Sequence, residues 1–246
     1  MRVTIAQTDI ALGEKDKNLN NVRRIVRGAH PGMILFPELF TTGFDFDNIK
    51  ELSEEVPGET TGTIGEICGD SIVGGSIVER KKDIYNTFFL VGRAGILGTY
   101  RKIHLFREEK KCFAPGEDAV VLDTRFGRLG LATCYDIRFP ELFRELVKKG
   151  VEIILVTAGF PIPRDEHWKV LLTARAIENQ VFVIAANRVG RDKRQEYFGR
   201  SMVIDPWGKI LLEASSEEEI LSCDIDVSRV SKTREDFPVL SDSKIL

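Results

Sequence analysis

Cys134 is one of four cysteines and falls within GLATCYDIRFPELFRELVKKG (130–150), between an apolar run and a helical pattern. Leu129 to Thr133 are small and apolar and read as a buried strand. After Pro140, the spacing of Leu142, Phe143, Leu146 and Val147 is helical and stops at Gly150, a C-cap signal. Cys134 is therefore expected at a strand-to-helix turn. Such a turn pushes a nucleophile out of the sheet and offers unpaired backbone N–H groups to a developing anion. Two charged residues share this kind of setting: Glu38 follows MILFP and Lys102 follows GILGTYR, each at the end of an apolar run. A charge at a strand end is partly desolvated, so neighbours can tune its pKa.

Each of the three also has a plain reading when taken alone. A lone cysteine is commonly an inert buried residue, and a lone strand-end Glu or Lys is commonly a solvated boundary charge. As a set they make coherent chemistry. A thiol needs a base, usually histidine, and only His30, His104 and His167 are present. His30 lies in a Gly/Pro-flanked loop and His167 begins a helix. His104 stands two residues beyond Lys102, on the same face if the strand continues. Glu38 can instead take the thiol proton, provided burial raises its pKa, and Lys102 can hold the resulting anion. A Glu-Lys-Cys site of this kind needs neither a metal nor an organic cofactor.

These residues must be carried by a chain of 246 residues, long enough for one or at most two cores, and the even recurrence of apolar segments with no intervening linker favours one. The net charge of −3, with 35 basic and 38 acidic residues interspersed, gives no concentrated basic face for nucleic acid. The N-terminal nine residues alternate like a strand rather than a signal peptide, and no run is long enough to cross a membrane. Cys68, Cys112, Cys134 and Cys223 are scattered without a C-x-x-C pair, so reduced thiols and a cytoplasmic location are expected. Strands are expected at 2–7, 33–36, 71–78, 87–91, 96–100, 119–122, 129–133, 153–157, 182–186, 202–204, 210–212 and 220–223, and helices at 19–27, from Pro140, and at 168–179. This is too sheet-rich for a plain doubly wound fold and too helical for a sandwich of sheets alone; two face-to-face sheets with helices outside accommodate both.

The sequence resembles the nitrilase, or carbon–nitrogen hydrolase, superfamily. The matching segments are ILFPELFTTGF (34–44), GTYRKIHLF (98–106), EKKCFAPG (109–116), CYDIRFPELFRELVKKGVEIILVTAGFP (134–161), HWKVLLTARAIENQVFVIAANRVG (167–190) and FGRSMVIDPWGKIL (198–211), in order along nearly the whole chain. The resemblance implies a four-layer α/β/β/α sandwich, with Glu38 as general base, Lys102 as the oxyanion-stabilising cation, Cys134 as nucleophile and Glu109 as a second glutamate that orients Lys102. Glu108 is adjacent, and the stretch from His104 to Glu109 is shorter than in many relatives. It also implies a homodimer paired through outer helices, those led by Phe139 and Trp168. From Ser231 the chain is polar, contains Pro238 and ends in an extended apolar-polar mixture, and the tail at 228–246 is expected to pack on a partner subunit.

The backbone N–H of Tyr135 would join Lys102 in an oxyanion hole, and Asp136 is expected to tie down the turn. Arg175 and Glu178, one turn apart, read as an intrahelical ion pair. The implied reaction is hydrolysis of a small linear amide through a thioester. A nitrile or an N-carbamoyl amino acid would use the same triad, and an acyltransferase or a non-catalytic binding protein on this fold is the alternative of another class. Phe44 and Phe160 are candidate pocket walls. The context of Arg164 is similar to that of amidases acting on ω-amides such as 2-oxoglutaramate. Arg164 therefore has two readings: a contact for a substrate carboxylate, or an exposed charge paired with Asp165 or Glu166.

Overall fold

The computed structural model describes residues 1–244. In chain order the first half runs β1 (Arg2–Gln7), α1 (Lys15–Gly28), β2 (Met33–Leu35), α2 (Glu59–Ile67), β3 (Ile72–Arg80), β4 (Ile84–Gly92), β5 (Gly95–Arg101) and the single turn α3 (Glu109–Cys112). The second half runs β6 (Val121–Thr124), β7 (Gly127–Thr133), a 3₁₀ turn (Cys134–Arg138), α4 (Pro140–Lys148), β8 (Ile153–Ala158), α5 (Asp165–Asn179) and β9 (Phe182–Asn187). It ends with β10 (Val189–Arg191), β11 (Glu196–Phe198), β12 (Met202–Ile204), β13 (Ile210–Glu213), β14 (Glu219–Asp224) and α6 (Arg229–Asp236).

Two six-stranded sheets result, ordered β14-β1-β2-β3-β4-β5 and β13-β12-β9-β8-β7-β6, with β10 and β11 as a separate hairpin. Period-two alternation sorts the side chains of the first sheet. Val3, Ile5, Met33, Leu35, Phe88 and Leu90 face the second sheet. Ala6, Ile34, Phe89 and Val91 face outward, onto Leu19, Val22, Ile25 and Val26 of α1 and Ile64 of α2. On the far side, Leu142, Phe143 and Leu146 of α4 and Trp168, Leu172 and Ala176 of α5 cover the second sheet. The expected four-layer α/β/β/α sandwich is the fold observed. Cutting a fully buried side chain such as Phe143 to alanine would cost on the order of 3–5 kcal/mol.

Strand direction explains where the chemistry collects. β1, β2 and β3 are parallel, β5 shares their direction through two antiparallel steps, and β7, β8 and β9 are parallel. The carboxyl ends of β2 and β8 meet across the sandwich: Thr157 Oγ1 donates to the Phe36 carbonyl at 2.9 Å and the Glu38 N–H donates to the Ala158 carbonyl at 3.3 Å. Carboxyl ends of parallel strands are where α/β sheets present their ligand sites.

Several elements differ from expectation. α1 begins four residues earlier, at Lys15, because a charged first turn carries no apolar signal. α2, rich in Thr and Gly, and the short polar hairpin β10–β11 have no counterpart among the expected elements. The start of the tail forms α6, Arg229–Asp236, an element the sequence reading did not include; Val230 and Thr233 are buried, and Arg234 donates to the Val151 carbonyl at 2.9 Å. Residues 245–246 of the tail lie outside the described residues. Gly150, the residue after the C-cap of α4, takes φ of +77°, a left-handed conformation that favours glycine.

Candidate active site

β7 ends at Thr133, and the chain turns through Cys134 with φ of +48°, a left-handed conformation that a non-glycine residue adopts only under constraint. Asp136 supplies that constraint. Fully buried, it accepts the Thr133 N–H (2.8 Å), the Tyr100 hydroxyl (2.7 Å) and the His104 N–H (3.1 Å). The expected role of Asp136 in tying down the turn is met, and the same carboxylate anchors the turn to the loop that follows β5. That loop carries Lys102. The strand does not continue to His104, whose ring instead stacks on Phe139 at 3.7 Å and meets Asp136 Oδ1 through Nδ1 at 2.8 Å.

Glu38, Lys102 and Glu109 form one buried array. Lys102 Nζ donates to Glu38 Oε1 at 2.7 Å and to Glu109 Oε1 at 2.8 Å, and all three residues are at most 4% exposed. Glu38 is held further by Asn86, whose Nδ2 donates to Oε1 at 2.8 Å, and by the Gly159 N–H, which donates to Oε2 at 3.0 Å. Glycine is required at 159 because a Cβ there would stand 2.5 Å from the Phe44 ring. Glu109 Oε2 accepts the Phe106 N–H at 2.6 Å, which fixes it beside Lys102, whereas Glu108 is exposed at the rim of the same pocket and pairs with Lys111.

The electrostatics follow from this packing. Burial works against the charge of Lys102, but Glu109 and Glu38 outweigh it and hold the ammonium well above its ordinary pKa. Burial, reinforced by Glu38, raises Glu109 to about 7 against the pull of Lys102. Burial and the Glu38 charge push the Cys134 thiol well above its usual value, with Lys102 opposing.

Cys134, Lys102 and Glu109 reach a pocket of about 210 Å³; Glu38 lies behind them with no exposed surface. Phe44, Phe46, Phe106, Tyr135 and Phe160 wall the pocket, and Arg107, Arg138, Arg164 and Arg194 ring it. Phe44, Phe160 and Tyr135 thus line the same pocket as Cys134. Arg164 forms no ion pair with Asp165 or Glu166 among the described residues; its guanidinium rests 5.4 Å from the centroid of Phe106 and it lines the pocket. The Arg175–Glu178 ion pair forms at 2.8 Å, and Arg175 Nη2 also donates to the Ile137 carbonyl at 2.8 Å, so α5 braces the turn that carries Cys134. Sequence reasoning passed over Asn86, Phe106 and the other three arginines. Asn86 left a trace, as part of a polar pair inside the apolar run IYNTFFLVG.

A family model described as carbon-nitrogen hydrolase matches residues 2–235 of the chain. The chain is 36% identical over 249 residues to a 2-oxoglutaramate amidase of Bacillus subtilis, covering 98% of this chain and 96% of that protein. It is 34% identical over 245 residues to the omega-amidase NIT2 of Xenopus tropicalis, covering 92% of this chain and 88% of that one. The crystal structure of XC1258 from Xanthomonas campestris, a CN-hydrolase superfamily protein, superposes with a TM-score of 0.92 at 29% identity, covering 100% of this chain and 98% of that one.

Proposed function

From the membership of this chain in the carbon–nitrogen hydrolase family, we propose that it is a cysteine-dependent amidase. Its substrate is a small linear amide with a carboxylate at the far end, an ω-amide of a dicarboxylic or 2-oxo acid, which it converts to the acid and ammonia. The observation that carries this reading is the buried Glu38–Lys102–Glu109 array set behind Cys134 at the base of an arginine-ringed pocket.

Oε1 of Glu38 is occupied by two donors and Oε2 by one, so Oε2 is the oxygen left to accept a proton. In the proposed first step Glu38 takes the Cys134 proton as the sulfur attacks the amide carbonyl. The raised thiol pKa favours proton transfer concerted with attack over a preformed thiolate. Lys102 and the Tyr135 N–H stabilise the tetrahedral oxyanion, and a single such donor is typically worth about 3 kcal/mol. Glu38 returns the proton to the departing nitrogen, leaving ammonia and a Cys134 thioester. The carboxylate then activates a water, which attacks the thioester carbonyl, and the thiol regains its proton. Glu109 keeps Lys102 aimed at the oxyanion throughout.

The small pocket and the position of Arg164 on its wall support the substrate class, as do the names of the Bacillus and Xenopus relatives. The test is ammonia release from a panel of ω-amides, uncharged aliphatic amides, nitriles and N-carbamoyl amino acids, with wild type and Arg164→Ala. The proposal expects the variant to raise KM for an ω-amide far more than for an uncharged amide. Equal effects on both would remove Arg164 from the site. Absence of turnover with every ω-amide would remove the substrate class.

A further inference from the structure

Phe106 carries two guanidinium groups on its ring, that of Arg107 at 5.1 Å and that of Arg164 at 5.4 Å from the centroid. The nearby acids are engaged elsewhere, Glu108 with Lys111 and Asp47 with Arg194. Arg107 and Arg164 therefore have no carboxylate partner among the described residues. An aromatic face stabilises a cation without using its N–H donors. Both forks thus stay free for a ligand beside a pocket that both residues line.

The backbone reinforces this placement. The Phe106 N–H is held by Glu109 Oε2 at 2.6 Å and the Glu109 N–H by the Phe106 carbonyl at 3.0 Å, which closes a tight turn around Arg107. Arg107 takes φ of +45° there, a conformation that asparagine or glycine would adopt more easily. The turn that fixes Glu109 beside Lys102 thus also delivers Arg107 to the pocket rim. Burial and the charges of Arg107 and Arg138 all act against the charge on Arg164. A bound anion would relieve that crowding.

We propose that Arg107 is a second carboxylate anchor, and that with Arg164 it grips one carboxylate at the end of the substrate away from the scissile amide. Two planar forks on one ring favour a flat, bidentate anion over a point charge or an uncharged end group. The inference rests on the ω-amide reading above and adds to it a specificity-determining residue from the loop between His104 and Glu109.

The experiment compares wild type, Arg107→Gln, Arg107→Lys and Arg164→Gln on a short dicarboxylic monoamide and on the uncharged amide of equal length. The readout is the ratio of the two kcat/KM values. For Arg107→Gln the ratio is expected to fall about tenfold or more, the size of one lost charge-assisted contact, with the change in KM rather than kcat. Arg107→Lys, which keeps charge but not the fork, is expected to recover part of the ratio. A ratio that falls in Arg164→Gln but holds within about twofold in Arg107→Gln overturns the role of Arg107 and leaves the ω-amide reading standing. A ratio unmoved in both variants overturns the carboxylate reading with it. Equal loss on both amides in Arg107→Gln would also overturn the inference, because the effect would then not depend on the substrate charge.

Discussion

Replacing Asn86 with leucine tests how the proposed base is held. Asn86 is fully buried on β4; its side-chain amide donates to Glu38 Oε1 at 2.8 Å, and its carbonyl accepts the Lys102 N–H at 2.9 Å. Leucine keeps the main-chain contact and roughly the volume but removes the donor. A hydrogen bond to a charged acceptor is worth about 1.5–3 kcal/mol, so kcat is expected to fall about tenfold to a hundredfold. Stability should respond differently. Asn86 Oδ1 has no hydrogen-bond partner, and Glu38 Oε1 keeps Lys102, so the substitution removes one buried unpaired acceptor and creates none. The assays are steady-state kinetics and thermal melting. A kcat within about twofold of wild type would refute the reasoning, and so would an activity loss explained by a collapse in melting temperature.

Two further outcomes are expected. Glu109, with its pKa at about 7, is protonated below that pH and ionised above it, and the ionised form is the one that pairs with Lys102. The value of kcat/KM should therefore fall about tenfold per pH unit on the acid side of the limb, and Glu109→Gln should flatten that limb. Because the folded value lies above the ordinary glutamate value of 4.5, the native state holds this proton longer, so the contribution of Glu109 to stability declines as pH rises from about 4.5 to about 7. Urea titrations of wild type and Glu109→Gln across that window measure the difference. The second outcome concerns association. α5 exposes Val170 and Ile177, and near it the Trp207 and Phe237 rings stack at 6.0 Å, each more than half exposed, whereas the apolar residues of α4 are turned into the core. Light scattering at micromolar concentration should return a dimer, with Ile177→Glu shifting it toward monomer; a monomeric wild type would contradict this.

The strands and their ends were legible because an apolar run of four to six residues bounded by Gly, Pro or a charge has few other readings. That is why Glu38, Lys102 and Cys134 could be located from short contexts. Elements whose stability comes from tertiary contact left no such pattern. α2 contains Gly62 and Gly65 and only a few apolar residues, and α6 buries Val230 and Thr233 from an otherwise polar run. The site was legible for residues at strand ends and not for those that reach it from within a strand or a tight turn. Asn86 is set by the register of β4 against β3 and β5, and Arg107 by a turn closed through the side chain of a residue two positions later. Neither relation exists until the sheets are assembled.

The central claim is that Cys134 carries the acyl group between two half-reactions. Rapid acid quenching of the enzyme with a slowly turned-over ω-amide, followed by mass spectrometry of the intact chain and its peptides, tests it most directly. The account predicts a mass gain equal to the substrate minus ammonia, located on the peptide containing Cys134, labile to hydroxylamine, and absent together with ammonia release in Cys134→Ala. Turnover retained in Cys134→Ala, or an adduct located on Cys68, Cys112 or Cys223 instead, would contradict it.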